Sequence, residues 1–288
     1  MTGAPAGPGG EHQSGAPANR EVVVDHLAEV WSSVGTACQG LGEEQWELGT
    51  DCPGWSVKDQ LSHLIGIELM LLGESAPSPP DPMPDHVRNP IGEINEAWIL
   101  SRRPVPGAEV LAEFEATTGR RLESLRAMSP SDFDVVGPSP VGQVPYREFM
   151  ETRVMDSWAH EQDVRRALSC PGGRNGPGEA VTLERCLRAM PFVVGKRVAP
   201  PDGTGVLFGV AGVLGRQVLV RMDGARASSV PPSTTAAPTT TLTMDQQTFW
   251  RLGLGRVEPA KVLASGEVAL EGDVGLGHRV LDSMDFMI

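Results

Sequence analysis

Asp156 and His160 are the pair of residues in this sequence whose types and spacing best suit a metal ion. They lie in the segment 145–168, PYREFMETRVMDSWAHEQDVRRAL, whose pattern predicts one long helix. Side chains four residues apart lie on one helix face, one turn apart, so a carboxylate and an imidazole can reach the same ion. One helix cannot enclose a metal, and a third ligand must come from elsewhere in the chain.

His63 is the predicted third ligand, in a second helical segment, SVKDQLSHLIGIELMLLG, that begins near Ser56. Asp59, one turn before His63, is an alternative ligand. Three protein ligands leave a coordination position for water or substrate, which is typical of reactive metal centres. Spacing alone leaves two other interpretations open: the helix that carries Asp156 is rich in charged residues and fits a solvated face, and His63 among aliphatic neighbours fits a core histidine.

The composition limits the partners of this chain. Its 288 residues are enough for two domains with separate cores. A net charge of -13 and a pI ≈ 4.9 argue against a nucleic-acid partner, because a phosphate backbone requires a basic surface. No apolar run approaches the roughly 18 residues of a membrane span. Without CxxC spacing or a secretory signal, we expect a cytoplasmic protein with reduced thiols at its four cysteines, Cys38, Cys52, Cys170 and Cys186.

Residues 20–172 are predicted to form a helical bundle that brings the candidate ligands together. Apolar residues recur at helical spacing in four segments, 20–41, 56–73, 106–128 and 145–168. Residues 92–102 predict a further short helix, and residues 129–143 predict a loop. The segment 74–90 is too rich in proline for a packed element and is long enough to cover the entrance of a site. Residues 1–19, rich in Gly, Ala and Pro, predict a disordered tail.

Residues 173–288 predict a smaller α+β domain, so the fold class of the whole chain is α+β. A helix is expected over 179–198, followed by strands within 205–222. The segment 227–244 is interpreted as a Pro/Thr-rich connection that leads into a threonine strand. Thr243 and Gln246 predict a capping box at the start of the next helix. A strand at 266–273 and a terminal helix complete the domain.

Two segments resemble the N-terminal domain of the mycothiol-dependent maleylpyruvate isomerase family, which belongs to the DinB-like group of metal-binding four-helix bundles. The specific matches are the CPGW loop at 52–55 and the run HEQDVR at 160–165. This resemblance implies that His63, Asp156 and His160 are the metal ligands. The isomerase has a glutamate where this chain has Asp156, whose side chain is shorter.

Residues 242–284 resemble the sterol-carrier-protein-like domain that follows the bundle in many family members. They match its helix, its Gly-Arg step and its final G-D-x-x-L-G-x-R pattern. The resemblance implies that Arg256 faces the metal site, although Arg251 or Arg279 could take that role and Arg256 could also be a surface residue near a helix end. Together the two resemblances extend from about Arg20 to Met284.

The resemblance implies a divalent metal, Zn²⁺ or another ion, and a mycothiol-like thiol that becomes a nucleophile when its sulfur binds the metal. The partner would be an electrophilic small molecule, and the reaction either a cis-trans isomerisation or a transfer of the thiol. The alternatives are a non-catalytic protein that binds a metal or a lipid-like ligand, and a metal-dependent hydrolase. The sequence does not determine the oligomeric state.

Four further residues receive roles beside the predicted ligands. Arg256, with His160, is the predicted catalytic group, and it would screen the negative charge that forms on the substrate. Arg256 and Trp55 are expected to contact the thiol, while Trp158 fits either a pocket or the core. Asp163 would accept the free ring N–H of His160 or would pair with Arg165 or Arg166, and Arg153 would support the ligands from behind. None of the cysteines is predicted to be catalytic; Cys52 could supply a thiol ligand, but the resemblance implies a structural role.

Overall fold

A computed structural model describes residues 21–85, 87, 89–232 and 237–286 of this chain. The predicted tail, residues 1–19, lies outside the described residues. Before residue 168 the described part contains six α-helices: α1 (Val22–Cys38), α2 (Glu43–Trp46), α3 (Val57–Leu71), α4 (Pro90–Arg102), α5 (Gly107–Ala127) and α6 (Tyr146–Ala167). Helices α1 and α3 each pack against both α5 and α6, which confirms the predicted four-helix bundle.

The buried stripes of these helices follow the apolar spacing of the sequence. In α1 the buried side chains recur every three or four residues: Val23, Leu27, Val30, Trp31 and Val34. In α5, Val110, Phe114 and Leu125 are buried, and two further apolar residues predicted for this stripe, Leu111 and Leu122, are partly buried against the core. The bundle is therefore held by the stripes that the sequence predicts.

The prediction of a loop at residues 129–143 was wrong. Two short strands, β1 (Val136–Ser139) and β2 (Gly142–Pro145), pair there as an antiparallel hairpin that leads directly into α6. The turn is closed by Ser139, whose hydroxyl donates to the carbonyl of Gly142 at 2.8 Å. Gly142 has a φ of +107°, a conformation that glycine adopts without strain.

The second part of the chain contains a five-stranded sheet of order β5-β4-β3-β6-β7. Its strands are β3 (Gly205–Ala211), β4 (Gln217–Asp223), β5 (Arg226–Val230), β6 (Thr240–Asp245) and β7 (Val268–Gly272). Strands β3 and β6 pair in parallel, and all other pairs are antiparallel. This sheet, with its helices, confirms the predicted α+β class; the boundary between residues 172 and 173 stays a prediction.

Strand β5 lies where the sequence predicted part of a connection. A two-residue turn joins it to β4, and Gly224 at the first turn position has a φ of +57°. Glycine adopts this positive φ without strain, as the first position of a two-residue hairpin turn requires.

The predicted capping box at Thr243 was also wrong. Thr243 lies inside β6 and pairs with Gly209 and Ala269. The next helix, α8 (Gln246–Gly253), begins later because the carboxylate of Asp245 accepts a hydrogen bond from the backbone N–H of Thr248 at 2.6 Å.

Helix α7 (Pro177–Phe192) connects the two parts of the molecule. It packs on α1 and α6 of the bundle, and also on β4, β5 and α8. After Phe192 it continues as a π-helix over Val193–Val198. Two further helices, α9 (Pro259–Ala264) and α10 (Val274–Asp282), complete the described fold. No helix among the described residues combines the length and apolar character needed to cross a bilayer.

We expect Gly66→Ala to destabilise the bundle. An alanine Cβ at this position of α3 would lie 2.3 Å from Cγ of Trp98 on α4, so the two helices would have to separate. Overpacking of this kind costs about 1–3 kcal/mol in the free energy of unfolding, which urea denaturation measures. Gly119→Ala is the matched control, because no heavy atom lies within 4 Å of its added Cβ and alanine favours the helix by up to about 1 kcal/mol. An unchanged unfolding midpoint for Gly66→Ala would contradict the packing described.

Candidate metal site

The three predicted ligands lie together between α3 and α6. His63 Nε2 is 3.2 Å from Asp156 Oδ2, and His160 Nε2 is 3.5 Å from Asp156 Oδ1. One donor atom from each residue lies within 4.8 Å of the other two. Both histidines are buried, and the carboxylate is partly buried. Two imidazole nitrogens and one carboxylate oxygen form a donor set that suits Zn²⁺ and other divalent transition metals.

The start of α3 sets the position of His63. Ser56 Oγ accepts from the backbone N–H of Asp59 at 3.3 Å, and the Asp59 carboxylate accepts from the backbone N–H of Ser56 at 2.9 Å. This reciprocal capping begins the helix at Val57. The Asp59 carboxylate also binds Arg103 at 3.2 Å. Asp59, the alternative ligand, is thus engaged in capping. Among the described residues it belongs to no group of side chains that could hold a metal ion.

Gln60 orients the ring of His160. Its fully buried side-chain amide accepts a hydrogen bond from His160 Nδ1 and donates to Thr50 Oγ1 at 2.6 Å. An Nδ1–H donated to Gln60 directs Nε2 of the same ring at Asp156. Gln60 was not among the predicted site residues. Its position three residues before His63 on the same helix was the available signal.

Asp156 is held from behind by a buried chain of charges. Arg153 Nη1 donates to Asp156 at 2.5 Å, and Arg153 Nε donates to Glu68 at 2.8 Å. Glu68 also accepts from Arg121 at 3.0 Å, so two guanidinium groups neutralise this buried carboxylate. Arg153, predicted to support the ligands, thus contacts Asp156 directly. Glu68 and Arg121 were not among the predicted residues, although Glu68 is the single charged residue in the run 64–73.

The charges around Asp156 control the protonation of the cluster. Burial raises the pKa of Asp156, but Arg153 and the two histidines outweigh it and hold that pKa well below 3.8. Burial lowers the pKa of His63 to about 4, more than the neighbouring Asp156 raises it. For His160, burial also lowers the pKa, but Asp156 and Asp163 raise it well above 6.5. In this arrangement one proton resides where a divalent ion would compete with it.

Asp163 connects the cluster to the second part of the chain. Its Oδ2 lies 3.5 Å from His160 Nδ1 and accepts from the Cys52 thiol at 3.3 Å. Arg256 donates to Asp163 through Nε and Nη2, each at 3.0 Å from Oδ2. Burial raises the pKa of Asp163, but Arg256 outweighs it, so this carboxylate is anionic.

Two arginines considered as partners of Asp163 pair with other carboxylates. Arg165 pairs with Glu161 at 2.6 Å, and Arg166 pairs with Asp51 at 2.6 Å, so neither provides the expected partner of Asp163. Of the three arginines considered in the second part, Arg256 is the one that reaches the cluster. The alternatives lie elsewhere: Arg251 is 3.7 Å from Glu267 and Arg279 is exposed.

Trp55 covers the two histidine rings. Its ring centroid is 5.2 Å from that of His63 and 5.8 Å from that of His160, and its Nε1 donates to Glu96 at 3.2 Å. Trp158 is a core residue instead: its Nε1 donates to the carbonyl of Gly173 at 2.7 Å, and its ring contacts Trp250. Trp55 is therefore the tryptophan at the site.

A cavity of about 730 Å³ adjoins the cluster, with His63, Arg153 and Asp156 in its wall. No described residue of the proline-rich segment 74–90 lines this cavity. The hairpin contributes instead, through Pro140, Val141 and Val144. Helix α7 forms another part of the wall, so both parts of the molecule enclose the space.

Two family models match this chain. The family described as "Mycothiol maleylpyruvate isomerase N-terminal domain" matches residues 27–165, and the "SCP-2 sterol transfer family" matches residues 196–284. The crystal structure of the mycothiol-dependent maleylpyruvate isomerase shares the fold, with a TM-score of 0.55 and 14% identity over 87% of this chain and 92% of that chain.

Curated relatives at the sequence level are uncharacterised. A protein of Mycobacterium tuberculosis, found in strains CDC 1551 and H37Rv, is 28% identical over 130 residues, or 44% of this chain. The chain spans about half the length, 49%, of these curated relatives.

We expect Gln60→Leu to weaken metal binding without removing a ligand. The substitution deletes the acceptor that orients His160, and loss of such a partner lowers metal affinity by about 10–100-fold. Competition with a chromophoric chelator measures the affinity. Gln162→Leu is the control, because this buried glutamine lies on α6 near His160 but donates to the carbonyl of Gly172. Equal Zn²⁺ affinity for Gln60→Leu and the unmodified chain would exclude the orienting role.

We expect two of the cysteines to be inert to thiol reagents in the folded protein. Burial raises the pKa of both Cys38 and Cys186 to about 12, so almost no thiolate forms at pH 8. Cys170 is partly exposed and should react first with Ellman's reagent. Peptide mapping after labelling, with and without urea, distinguishes the sites. Fast labelling of Cys186 before unfolding would contradict the burial described.

Proposed function

We propose that this chain, which belongs to the mycothiol maleylpyruvate isomerase family and carries an SCP-2-like domain after its helical bundle, is a metal-dependent enzyme that uses a low-molecular-weight thiol. The thiol would be mycothiol-like and would attack an electrophilic small molecule, either in a cis-trans isomerisation of the maleylpyruvate isomerase type or in a thiol S-transfer. The observation that carries this proposal is the clustering of His63, Asp156 and His160 within 4.8 Å, beside a cavity.

His63, Asp156 and His160 would hold the ion, Zn²⁺ or another divalent metal. The donor set fits: His63 Nδ1 is buried without a hydrogen-bond partner, and Nε2 of both rings faces the carboxylate. When bound, such an ion lowers the pKa of a thiol in its open position and so supplies a thiolate at neutral pH. Gln60 would hold the ring of His160 in its orientation, and Arg153 would hold the carboxylate of Asp156.

Arg256 and Trp55 are proposed to contact the thiol. Trp55 lies over both imidazole rings, and Arg256 binds Asp163, whose Oδ2 lies 3.5 Å from His160 Nδ1. Arg256 also donates to the carbonyl of Leu254 at 2.9 Å, which fixes its guanidinium. Charge stabilisation on the electrophile, predicted for Arg256, would be shared by Arg153. Arg153 lines the cavity, and its Nη2 is buried without a partner.

We expect His160→Ala to lose both bound metal and thiol-dependent turnover. Removal of one of three ligands leaves an incomplete site, so metal content should fall well below one equivalent by elemental analysis. Turnover is measured with mycothiol and either maleylpyruvate or 1-chloro-2,4-dinitrobenzene. His278→Ala is the control, because His278 is exposed on α10 and distant in sequence from the bundle. Full metal content together with full turnover in His160→Ala would exclude this mechanism.

A non-catalytic carrier of an apolar ligand is the second candidate, favoured by the apolar residues of the cavity wall and by the match to the SCP-2 family. Metal content and thiol dependence separate the two. A carrier would retain a lipid-like molecule and show no loss of electrophile when thiol is supplied. Turnover that requires metal but no thiol would instead indicate a hydrolase.

A further inference from the structure

The cavity beside the candidate metal site has a largely apolar wall. Its apolar residues come from α3, α4, β2, α6, α7 and the C-terminal segment, and include Ile67, Ile94, Val144, Phe149, Phe192 and Phe286. Four of the apolar lining residues are also between 36% and 60% exposed: Met70, Ile91, Val141 and Phe192. Exposed apolar side chains around an opening favour an apolar ligand, and a volume near 730 Å³ suits a small molecule.

Arg185 supplies an unsatisfied cationic donor in this wall. Its side chain is only 9% exposed, and Nε is buried without a hydrogen-bond partner. Nη1 donates to the backbone carbonyl of Glu148 at 3.2 Å and lies 3.3 Å from the Glu151 carboxylate. Arg188 also pairs with Glu151, at 2.5 Å, so the two guanidinium groups share one carboxylate. A buried guanidinium with an unsatisfied donor and a shared carboxylate is stabilised by an additional anionic partner.

The surrounding charges support the same conclusion. Burial and the neighbouring Arg188 lower the pKa of Arg185, while Glu151 and Glu148 act in the opposite direction. Glu148 also lines the cavity, so the carboxylates already present only partly offset the two cations and the burial. The carboxylate of a bound ligand would compensate the remaining cost of keeping Arg185 charged in this wall.

Arg153 provides a second donor in the same wall. Its guanidinium is held by Glu68 and Asp156, and Nη2 remains buried without a partner. Arg153 lies five positions after Glu148, whose carbonyl accepts from Arg185, which is a rise of about 8 Å along the backbone of α6. The cavity therefore joins two guanidinium donors through apolar walls.

We propose that this cavity binds an elongated apolar carboxylic acid, with the carboxylate on Arg185 and the apolar body directed towards Arg153 and His63. Assigning the end near Arg153 as the reacting end rests on the proposed function. The binding of the acid does not rest on it. A charge-assisted hydrogen bond to Arg185 Nε would satisfy the buried donor and would select an acid over a neutral molecule of the same shape.

The test is calorimetric titration of the full chain, without thiol, with decanoate and with the neutral decanamide. We expect decanoate to bind at least about tenfold more tightly than decanamide, the ratio expected for a hydrogen bond to a charged group. Arg185→Met should abolish this preference, since it removes the charged donor and leaves the other lining residues in place. Arg216→Met is the matched control, because Arg216 pairs with Glu184 on the surface and does not line the cavity.

A second variant keeps the test decisive if Arg185→Met fails to fold. Ala189→Glu places a carboxylate in the same wall, one turn from Arg185 on α7, and should weaken decanoate more than decanamide. Equal affinities of the unmodified chain for the two probes, no binding of decanoate, or a preference that survives Arg185→Met would overturn the inference. Acid binding without thiol-dependent turnover would refute only the proposed function, and turnover without acid binding would refute only this inference.

Discussion

The partly buried carboxylate of Asp156 is the charge around which the centre of this molecule is arranged. It contacts His63 on α3, and it contacts Arg153 and His160 on its own helix, α6. A carboxylate removed from water is costly unless it is paired and hydrogen-bonded. Arg153 neutralises it, Glu68 balances Arg153, and Arg121 balances Glu68, so the charge chain extends to α5. The cluster is therefore held by three helices of the bundle.

A second constraint is the contact between the cluster and the second part of the chain. Asp163 accepts from both Arg256 and Cys52 and lies close to His160, so one buried carboxylate joins the CPGW loop, α6 and the segment after α8. Loss of Arg256 would leave this carboxylate buried and unpaired, which costs more than the pair itself contributes. This geometry couples the packing of the second part to the position of His160.

Helix α7 completes the enclosure of the cavity. It packs on the bundle and on the sheet, and it presents Arg185, Arg188 and Phe192 to the same space as His63 and Asp156. A small-molecule site at the contact between two parts of a chain is common, because neither surface has to be hollow by itself. The hairpin before α6 contributes another part of the wall, where the sequence predicted only a loop.

The sequence by itself determined the elements that are governed by local periodicity and by short signals. The apolar spacing predicted α1, α3, α5 and α6, and the spacing of Asp156 and His160 placed both on one face of α6. Local signals failed where two residues compete for one role, as at Thr243 and Asp245. Only the tertiary structure decided which residues support the proposed ligands: Gln60, Glu68 and Arg121 acquire their roles through contacts with residues 53 to 100 positions away in sequence. The physical reason is that burial, which makes these hydrogen bonds and charges matter, arises only when the helices pack.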